Sequence, residues 1–269
     1  MKKKRLIPVL LLKNGWLVQS KNFSRYQNLG NPVTAVSRLS QWGSDELIYL
    51  DISNDDGYDI RRDDQNYANR QNFLEIIEDV STVTFMPMTV GGKIRTMKDI
   101  ELRLRLGADK ISINQIVVDK PDFVEEAAKE FGSQCIVVSV DVKKKNEDYL
   151  IYNHKKSKCY NLFVAEYCKR IESLGCGEIL LNAVDRDGVG MGYDLKLIND
   201  VCDIVNVPVI ACGGVGEWFH FKEALEETKA DAVAAANIFH YIDQSVYLAK
   251  SYLYKSELPV RKPDLITIN

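Results

Sequence analysis

The 269-residue sequence has no apolar segment long enough to cross a membrane and no large excess of charge of either sign. The first apolar run, Leu6–Leu12, is far shorter than the ~20 residues that a transmembrane helix needs. No small-residue cleavage site follows it, so we expect no signal peptide and predict a cytoplasmic protein. Because 38 acidic residues offset 35 basic ones, we expect neither a nucleic-acid partner nor a membrane partner.

Cysteine and histidine are scarce and scattered. The six cysteines contain no C-x-x-C pair, and His154, His220 and His240 lack the spacing of metal ligands. We therefore predict reduced thiols, no structural metal and no bound cofactor.

What the sequence does contain is a regular alternation of short apolar runs and helical patterns. Eight runs rich in Val, Ile and Leu predict strands at Arg5–Leu12, Glu46–Ile52, Thr84–Val90, Lys110–Asn114, Gln134–Val142, Glu178–Ala183, Val207–Cys212 and Ala232–Ala236. Helices are predicted between them, among them Pro32–Trp42, Thr96–Leu106, Pro121–Phe131, Leu162–Leu174, Leu195–Val205 and Phe219–Glu227. Eight such units predict one α/β domain over residues 1–269, a closed (β/α)8 TIM barrel with a C-terminal tail at 255–269. The alternative is an open, doubly wound sheet.

The two halves of the chain repeat each other at one fixed interval, as two half-barrels would. The corresponding pairs are Gly91-Gly92 with Gly213-Gly214, and Asn114-Gln115 with Ala236-Asn237. All of them end predicted strands, and ligands of a barrel bind at the carboxyl ends of its strands.

Glycines at these strand ends would let a phosphate approach the backbone, and the N–H groups of the following helix would bind it. The repeat therefore predicts two phosphate sites on opposite sides of the barrel mouth, and Gly188, in the loop after the sixth strand, is also expected to bind phosphate. A phosphorylated or nucleotide-linked small molecule would bridge the two sites. The alternative is that each glycine pair only makes a tight turn.

Carboxylates also lie at predicted strand ends. Asp141, which ends the fifth strand, is the candidate general acid or base, and Asp51, which ends the second, is expected to point at the same mouth. Asp141 could instead cap a loop or pair with a lysine. Asp185 and Asp187 lack the third clustered ligand that a magnesium site would need.

Four charged residues stand at the opposite ends of the strands. Arg5, Glu46, Lys110 and Glu178 open the first, second, fourth and sixth strands and would form a ring of ion pairs at the barrel base. Buried charges need partners, so a purely structural plug is the alternative interpretation.

From about Lys4 to His240, these features resemble the cyclase subunit of imidazole glycerol phosphate synthase, the HisF type. The most specific motifs are Thr89-Val-Gly-Gly-Lys-Ile-Arg-Thr96, Gly107-Ala-Asp-Lys-Ile-Ser-Ile-Asn114, Phe131-Gly-Ser-Gln-Cys-Ile-Val-Val138, Gly177-Glu-Ile-Leu-Leu181 and Asp185-Arg-Asp-Gly188. The resemblance implies a single (β/α)8 barrel, a lyase subunit of a glutamine amidotransferase complex. A HisH-type glutaminase would dock at its base, and ammonia would pass through the core to the mouth. It makes the four charged residues the gate of that tunnel and assigns Asp109 and Gln134 to the docking face.

The sequence departs from the family at the mouth. Leu11 stands where the first strand usually carries a catalytic aspartate, Gln19 replaces a substrate-holding lysine, and Lys93 replaces a third glycine. Since leucine transfers no proton, we expect cyclase activity to be impaired.

HisF-like proteins found with polysaccharide and flagellin-glycan genes show a similar pattern, beside a HisH-like glutaminase and an ATP-dependent amidotransferase that makes acetamidino sugars. The resemblance therefore favours ammonia delivery for amidino-sugar synthesis. The alternatives are a divergent histidine-biosynthesis cyclase that uses Asp141 with a substitute acid, and a non-catalytic scaffold that activates the glutaminase.

Overall fold

The computed structural model describes residues 3–21, 25–54, 57–58 and 70–266. Strands in chain order are β1 (Arg5–Lys13), β2 (Trp16–Lys21), β3 (Arg25–Gly30), β4 (Leu47–Asp51), β5 (Met88–Gly91), β6 (Lys110–Ile113), β7 (Ile136–Lys145), β8 (Asp148–Asn153), β9 (Lys158–Phe163), β10 (Glu178–Ala183), β11 (Val209–Cys212) and β12 (Ala232–Ala235). Helices are α1 (Pro32–Gln41), α2 (Phe73–Val83), α3 (Met97–Arg105), α4 (Gln115–Asp119), α5 (Phe123–Phe131), α6 (Val164–Ser173), α7 (Leu195–Cys202), α8 (Trp218–Glu227) and α9 (Ser245–Lys255). Short 3-10 turns lie at Ser133–Cys135, Val184–Arg186 and Asn237–His240.

Eight of the strands close into a parallel barrel. The order around it is β1, β4, β5, β6, β7, β10, β11 and β12, and β12 pairs in parallel with β1 to complete the circle. The predicted closed (β/α)8 barrel is confirmed, and each of the eight predicted strands corresponds to one barrel strand.

The strands form because both of their faces are buried. Side chains alternate across a strand, so one set points outward to the helices and the other inward to the barrel axis. The inward set makes a separate apolar cluster of fully or almost fully buried residues: Ile7, Val9, Ile48, Val137, Leu180, Ile210, Ala232 and Ala234.

Local signals set the helix ends. The Asn31 side chain accepts hydrogen bonds from the backbone N–H groups of Val33 and Thr34 at the start of α1. Thr96 and Asp99 form a capping box at the start of α3, each side chain bonding the other's backbone N–H. Predicted and observed helix ends therefore agree to within about three residues, which is ordinary for helix boundaries.

Two antiparallel hairpins rise from the carboxyl ends of barrel strands, and our sequence analysis did not identify them. β2 and β3 extend β1, and β8 and β9 extend β7. Between β1 and β2, Asn14 and Gly15 adopt the positive φ angles, 51° and 81°, of a tight hairpin turn.

The segment after α9 crosses the amino-terminal end of the barrel. Val260 forms a parallel bridge with Lys4, and the Arg261 Nε atom lies 3.1 Å from a carboxylate oxygen of Asp45. The same carboxylate forms an ion pair with the buried ammonium of Lys250, at 2.7 Å. This segment therefore lies beside Arg5 and Glu46.

The described residues include all six cysteines and nine helices. All six cysteines are free, and Cys168 and Cys176 are buried. No helix in the described ranges is both long and apolar enough to span a bilayer. Within the same ranges, no three metal-ligating side chains cluster.

Candidate functional site

A closed ring of four charges lies at the amino-terminal end of the barrel. Arg5 pairs with Glu46, 2.7 Å between Nη1 and Oε1, and also with Glu178. The Lys110 Nζ atom lies 3.1 Å from Glu46 and 3.0 Å from Glu178. Each carboxylate thus joins both cations, and the ring carries no net charge.

The ring is stable because every charge in it is paired. Burial alone would disfavour a charged guanidinium, but the hydrogen bonds and negative charges of Glu178 and Glu46 outweigh this and raise the pKa of Arg5 above its ordinary value. Glu46 and Glu178 are buried, so removing one partner would leave a charge without compensation.

Two exposed residues predicted to bind a partner lie at the same end. Asp109 directly precedes Lys110, and its carboxylate accepts a hydrogen bond of 2.8 Å from the backbone N–H of Met88. Gln134 lies just before β7 and is also exposed. The base therefore offers polar groups to solvent around the ring.

At the opposite end, Asp141 lies between two amides. Asn114 Nδ2 donates to one carboxylate oxygen at 2.8 Å, and Asn182 Nδ2 donates to the other at 3.0 Å. Burial raises the pKa of Asp141, although both amides and the charge of His154 act to lower it. A buried carboxyl group with a raised pKa at the carboxyl ends of the barrel strands is suited to proton transfer.

Leu11 lies on the inner side of the same end. It is opposite Leu50 of β4 in the strand register, and both pack on the apolar cluster inside the barrel. This side of the mouth is therefore lined by apolar side chains, whereas Asp141 places a carboxylate on the opposite side of the barrel.

The expectation that Asp51 points at the mouth is wrong. Leu50 faces inward, so the next residue, Asp51, faces outward toward the helices. There its carboxylate lies 3.2 Å from the Lys93 ammonium and 3.2 Å from the Tyr58 hydroxyl. Burial and the charge of Asp51 raise the pKa of Tyr58. Asp51 thus ties together the loops after β4 and β5.

The structure brings the residues of the first predicted phosphate site together. The glycine at position 92, however, is required by packing within the protein. Gly91 ends β5 and Gly92 follows it, next to β6, which leads to Asn114 and Gln115. Gly92 has φ 106°, and a Cβ there would lie 2.3 Å from the Asp51 carbonyl oxygen. The glycine is therefore required by protein contacts, whether or not a phosphate binds.

The helix geometry at this site also differs from the expectation. Because α3 begins only at Met97, Gly91 and Gly92 do not lead directly into a helix. Helical N–H groups come instead from α4, which starts at Gln115. The Gln115 side chain donates to the Tyr160 hydroxyl of the β8–β9 hairpin at 2.6 Å.

The second predicted site is arranged in the same way. Its predicted members are Gly213, Gly214, Ala236 and Asn237. Gly188 lies at the same place, since a Cβ there would be 3.4 Å from the Asn237 Nδ2 atom. Gly214 has φ 111°, and a Cβ there would lie 2.1 Å from the Gly192 carbonyl oxygen, so packing again requires glycine. The 3-10 turn begins directly at Asn237, whereas α8 begins only at Trp218.

The β2–β3 hairpin reaches this second site. Asn237 Nδ2 donates to the Ser20 carbonyl oxygen at 2.6 Å, and the Ser20 hydroxyl lies 3.3 Å from Asp187. Gln19 hydrogen-bonds to the Tyr241 hydroxyl. The Asn237 Oδ1 atom is buried and has no partner among the described residues. An acceptor is thus left unsatisfied beside the predicted anion site.

Comparison with known proteins identifies the family of the chain. The family described as "Histidine biosynthesis protein" matches residues 5–244. The chain belongs to this histidine biosynthesis family. It is 40% identical over 258 residues to the "Imidazole glycerol phosphate synthase subunit HisF" of Dehalococcoides mccartyi, which covers 96% of this chain and 98% of that protein. The HisF subunit of Saccharolobus solfataricus is 41% identical over 260 residues, with the same coverage.

For this HisF-like member of the histidine biosynthesis family, our sequence analysis missed several residues of the mouth. Asn182 donates a hydrogen bond to Asp141. The position of Asn182 near the end of a predicted strand was the one feature of the sequence that could have indicated this contact. Tyr160, which contacts Gln115, and His154, whose charge acts on Asp141, come from the unpredicted β8–β9 hairpin, and no pattern in the sequence indicated these positions.

Proposed function

We propose that this chain is the barrel subunit of a glutamine amidotransferase complex, in which ammonia from a HisH-type glutaminase enters at the base. The observation that carries the proposal is the ring of Arg5, Glu46, Lys110 and Glu178 across the barrel axis. The "HisF" name of its relatives, subunits of imidazole glycerol phosphate synthase, supports the same assembly.

The position of the ring supports a gate. It lies at the end where Asp109 and Gln134 are exposed, so a partner that covers these residues would also cover the ring. Its ion pairs are closed, and breaking the contacts of one cation would open a path to the axis. A structural plug would need no exposed docking residues around it.

The interior beyond the ring favours neutral ammonia. Ile7, Ile48 and Val137 are completely buried there, and an ammonium ion would be strongly disfavoured against hydrocarbon. By strand alternation, the hydroxyls of Thr89, Ser112 and Ser139 also face inward, and these could hydrogen-bond ammonia between Lys110 and Asp141.

We further propose that the mouth binds a phosphorylated or nucleotide-linked acceptor. The turns at Asn114-Gln115 and Ala236-Asn237 present backbone N–H groups on two sides of Asp141, as a ligand with phosphate at both ends would require. Asp141 is the residue placed to transfer a proton to or from such a ligand.

The acceptor we favour is a sugar, used with an ATP-dependent sugar amidotransferase to make an amidino group. In the HisF type the first strand supplies an aspartate at the position of Leu11, and losing a positioned acid or base typically costs ~10²–10⁴ in rate. Gln19 is held by Tyr241, and Lys93 by Asp51, so neither replaces that aspartate at the mouth. Ammonia delivery needs none of these residues.

One observation favours a second candidate, a divergent histidine-biosynthesis cyclase. Asp141 has two hydrogen-bonding amides and a raised pKa, as a general acid or base needs. This candidate requires a second acid in place of Leu11.

An isotope competition tests the tunnel. The complex of this chain, a HisH-type glutaminase and a sugar amidotransferase would receive ATP, a nucleotide-linked sugar, amide-¹⁵N glutamine and unlabelled ammonium. We expect the product to carry mainly ¹⁵N, because ammonia inside the barrel does not mix with solvent. Glu46→Ala should lower the ¹⁵N fraction and the yield per glutamine hydrolysed, and high ammonium should restore part of the yield.

Glu101→Ala is the matched control, since Glu101 lies on α3 and pairs with Arg105 in solvent. It should leave the ¹⁵N fraction unchanged. Full mixing of the two nitrogen sources in the wild-type complex would exclude the tunnel. Unchanged coupling in Glu46→Ala would make the ring structural only.

A further inference from the structure

A cavity of about 180 Å³ lies outside the barrel, between α1 and the segment that follows Asn237. Leu39 and Trp42 of α1 and Leu17 of β2 form its apolar wall, and Trp42 is buried. The volume is many times the ~10–15 Å³ that one water needs, and below the ~300–1,000 Å³ of drug-sized sites. The cavity therefore fits a small organic molecule.

Two charges of opposite sign stand at this cavity. Arg38 comes from the last turn of α1, and Asp243 from the segment before α9, and both are exposed. Among the residues that the structure describes, neither has an ion-pair partner within 4 Å. A ligand with both an anionic and a cationic group would satisfy both.

His240, which also lines the cavity, adds a neutral polar group. Burial and the nearby charge of Arg38 lower the pKa of His240 to about 4, so the imidazole is uncharged at neutral pH. It can donate or accept one hydrogen bond at each nitrogen without changing the balance between Arg38 and Asp243.

We infer that this cavity binds a free amino acid with an aliphatic side chain. Its carboxylate would pair with Arg38, its ammonium with Asp243, and its side chain would pack on Leu39 and Trp42. A simple anion would meet repulsion from Asp243, and a simple amine would meet repulsion from Arg38. The zwitterion is the chemistry that matches both.

The site is connected to the barrel mouth. Tyr241 lines the cavity and hydrogen-bonds to Gln19 of β2, next to Ser20, which accepts from Asn237. A bound amino acid would therefore brace the β2–β3 hairpin in its place over the second predicted phosphate site. The inference goes beyond ammonia delivery and does not depend on it.

Calorimetric titration of the full chain with L-leucine tests the inference. Two analogues each lack one charge: 4-methylpentanoate has only the carboxylate, and 3-methylbutylamine only the ammonium. We expect saturable binding of leucine with a Kd below about 10 mM, and a Kd at least fivefold higher for each analogue. Hydrogen exchange of the β2 amides should slow when leucine is bound.

Variants assign the binding to the cavity. Arg38→Gln and Asp243→Asn should each weaken leucine binding at least about fivefold, and Ala35→Leu, which fills the cavity, should abolish it. Arg105→Gln, an exposed arginine on α3, is the matched control and should bind like the wild type. Thermal unfolding of each variant would identify any that fails to fold.

Three results would overturn the inference. The first is no saturable leucine binding. The second is equal binding of leucine and the carboxylate analogue, which would indicate a simple anion site. The third is unchanged binding in folded Ala35→Leu or in both charge variants, which would place leucine elsewhere.

Discussion

Replacing Glu46 with alanine should destabilise the fold by an amount that the ring geometry sets. Arg5 and Lys110 would keep only Glu178 as a partner, and the ring would carry one uncompensated positive charge. Removing one partner of a fully buried pair costs about 3–5 kcal/mol. The ring side chains are 7–21% exposed and one carboxylate remains, so we expect about 1–3 kcal/mol.

Urea and thermal unfolding measure this effect directly. A loss of 1 kcal/mol lowers the melting temperature of a chain of this size by about 2–4 °C. The double variant Glu46→Ala/Lys110→Ala keeps a neutral Arg5–Glu178 pair. It should therefore be more stable than the sum of the single variants predicts, by about 1 kcal/mol or more.

Glu101→Ala provides the baseline, because its exposed pair with Arg105 contributes only about 0–1 kcal/mol. If Glu46→Ala were no less stable than Glu101→Ala, the four charges of the ring would not stabilise one another. Single effects of Glu46→Ala and Lys110→Ala that add within ~0.5 kcal/mol would lead to the same conclusion.

Three further predictions concern titration and anion binding. Because burial raises the pKa of Asp141, the unfolded chain loses this proton first, and stability should fall as pH rises above about 4. Asp141→Asn should remove this loss and so gain stability relative to the wild type with rising pH. Parallel urea-unfolding profiles of the two proteins would contradict this. The pKa of His240 is lowered to about 4, so as pH falls the unfolded chain protonates this histidine before the folded chain does. The free energy of unfolding should therefore fall by up to about 3 kcal/mol between pH 6.5 and 4. His240→Gln should remove this loss. Crystals grown in sulfate should show an anion at the N–H groups beside Asn237 or Asn114, and sterically blocked turns at both places would end the phosphate argument.

The barrel could be predicted from the sequence because its strands are buried on both faces. Short Val-, Ile- and Leu-rich runs between helices suit few other arrangements, and a charged residue at the start of such a run, such as Lys110 before Ile111, is conspicuous. The same reasoning did not identify β8 and β9, which are short antiparallel strands added to the end of β7 and not barrel strands.

The direction of a side chain at a strand end was harder to predict. A shift of one residue in a strand moves its side chain to the other face, so Asp51 faces the helices while Asp141 faces the mouth. The contacts of Lys93 with Asp51, and of Asn237 with Ser20, join segments far apart in sequence, and no local pattern indicates them. The long polar loop after β4 lies largely outside the described residues.

Our proposal is that this HisF-like chain delivers ammonia without efficient cyclisation of the histidine-pathway substrate. Steady-state assay of the purified chain with that substrate and free ammonia tests it most directly. With Leu11 in place of the acid, turnover should be at least ~100-fold below that of the HisF subunit of Dehalococcoides mccartyi measured in parallel. Turnover equal to that of the relative would contradict the account and assign the chain to cyclisation.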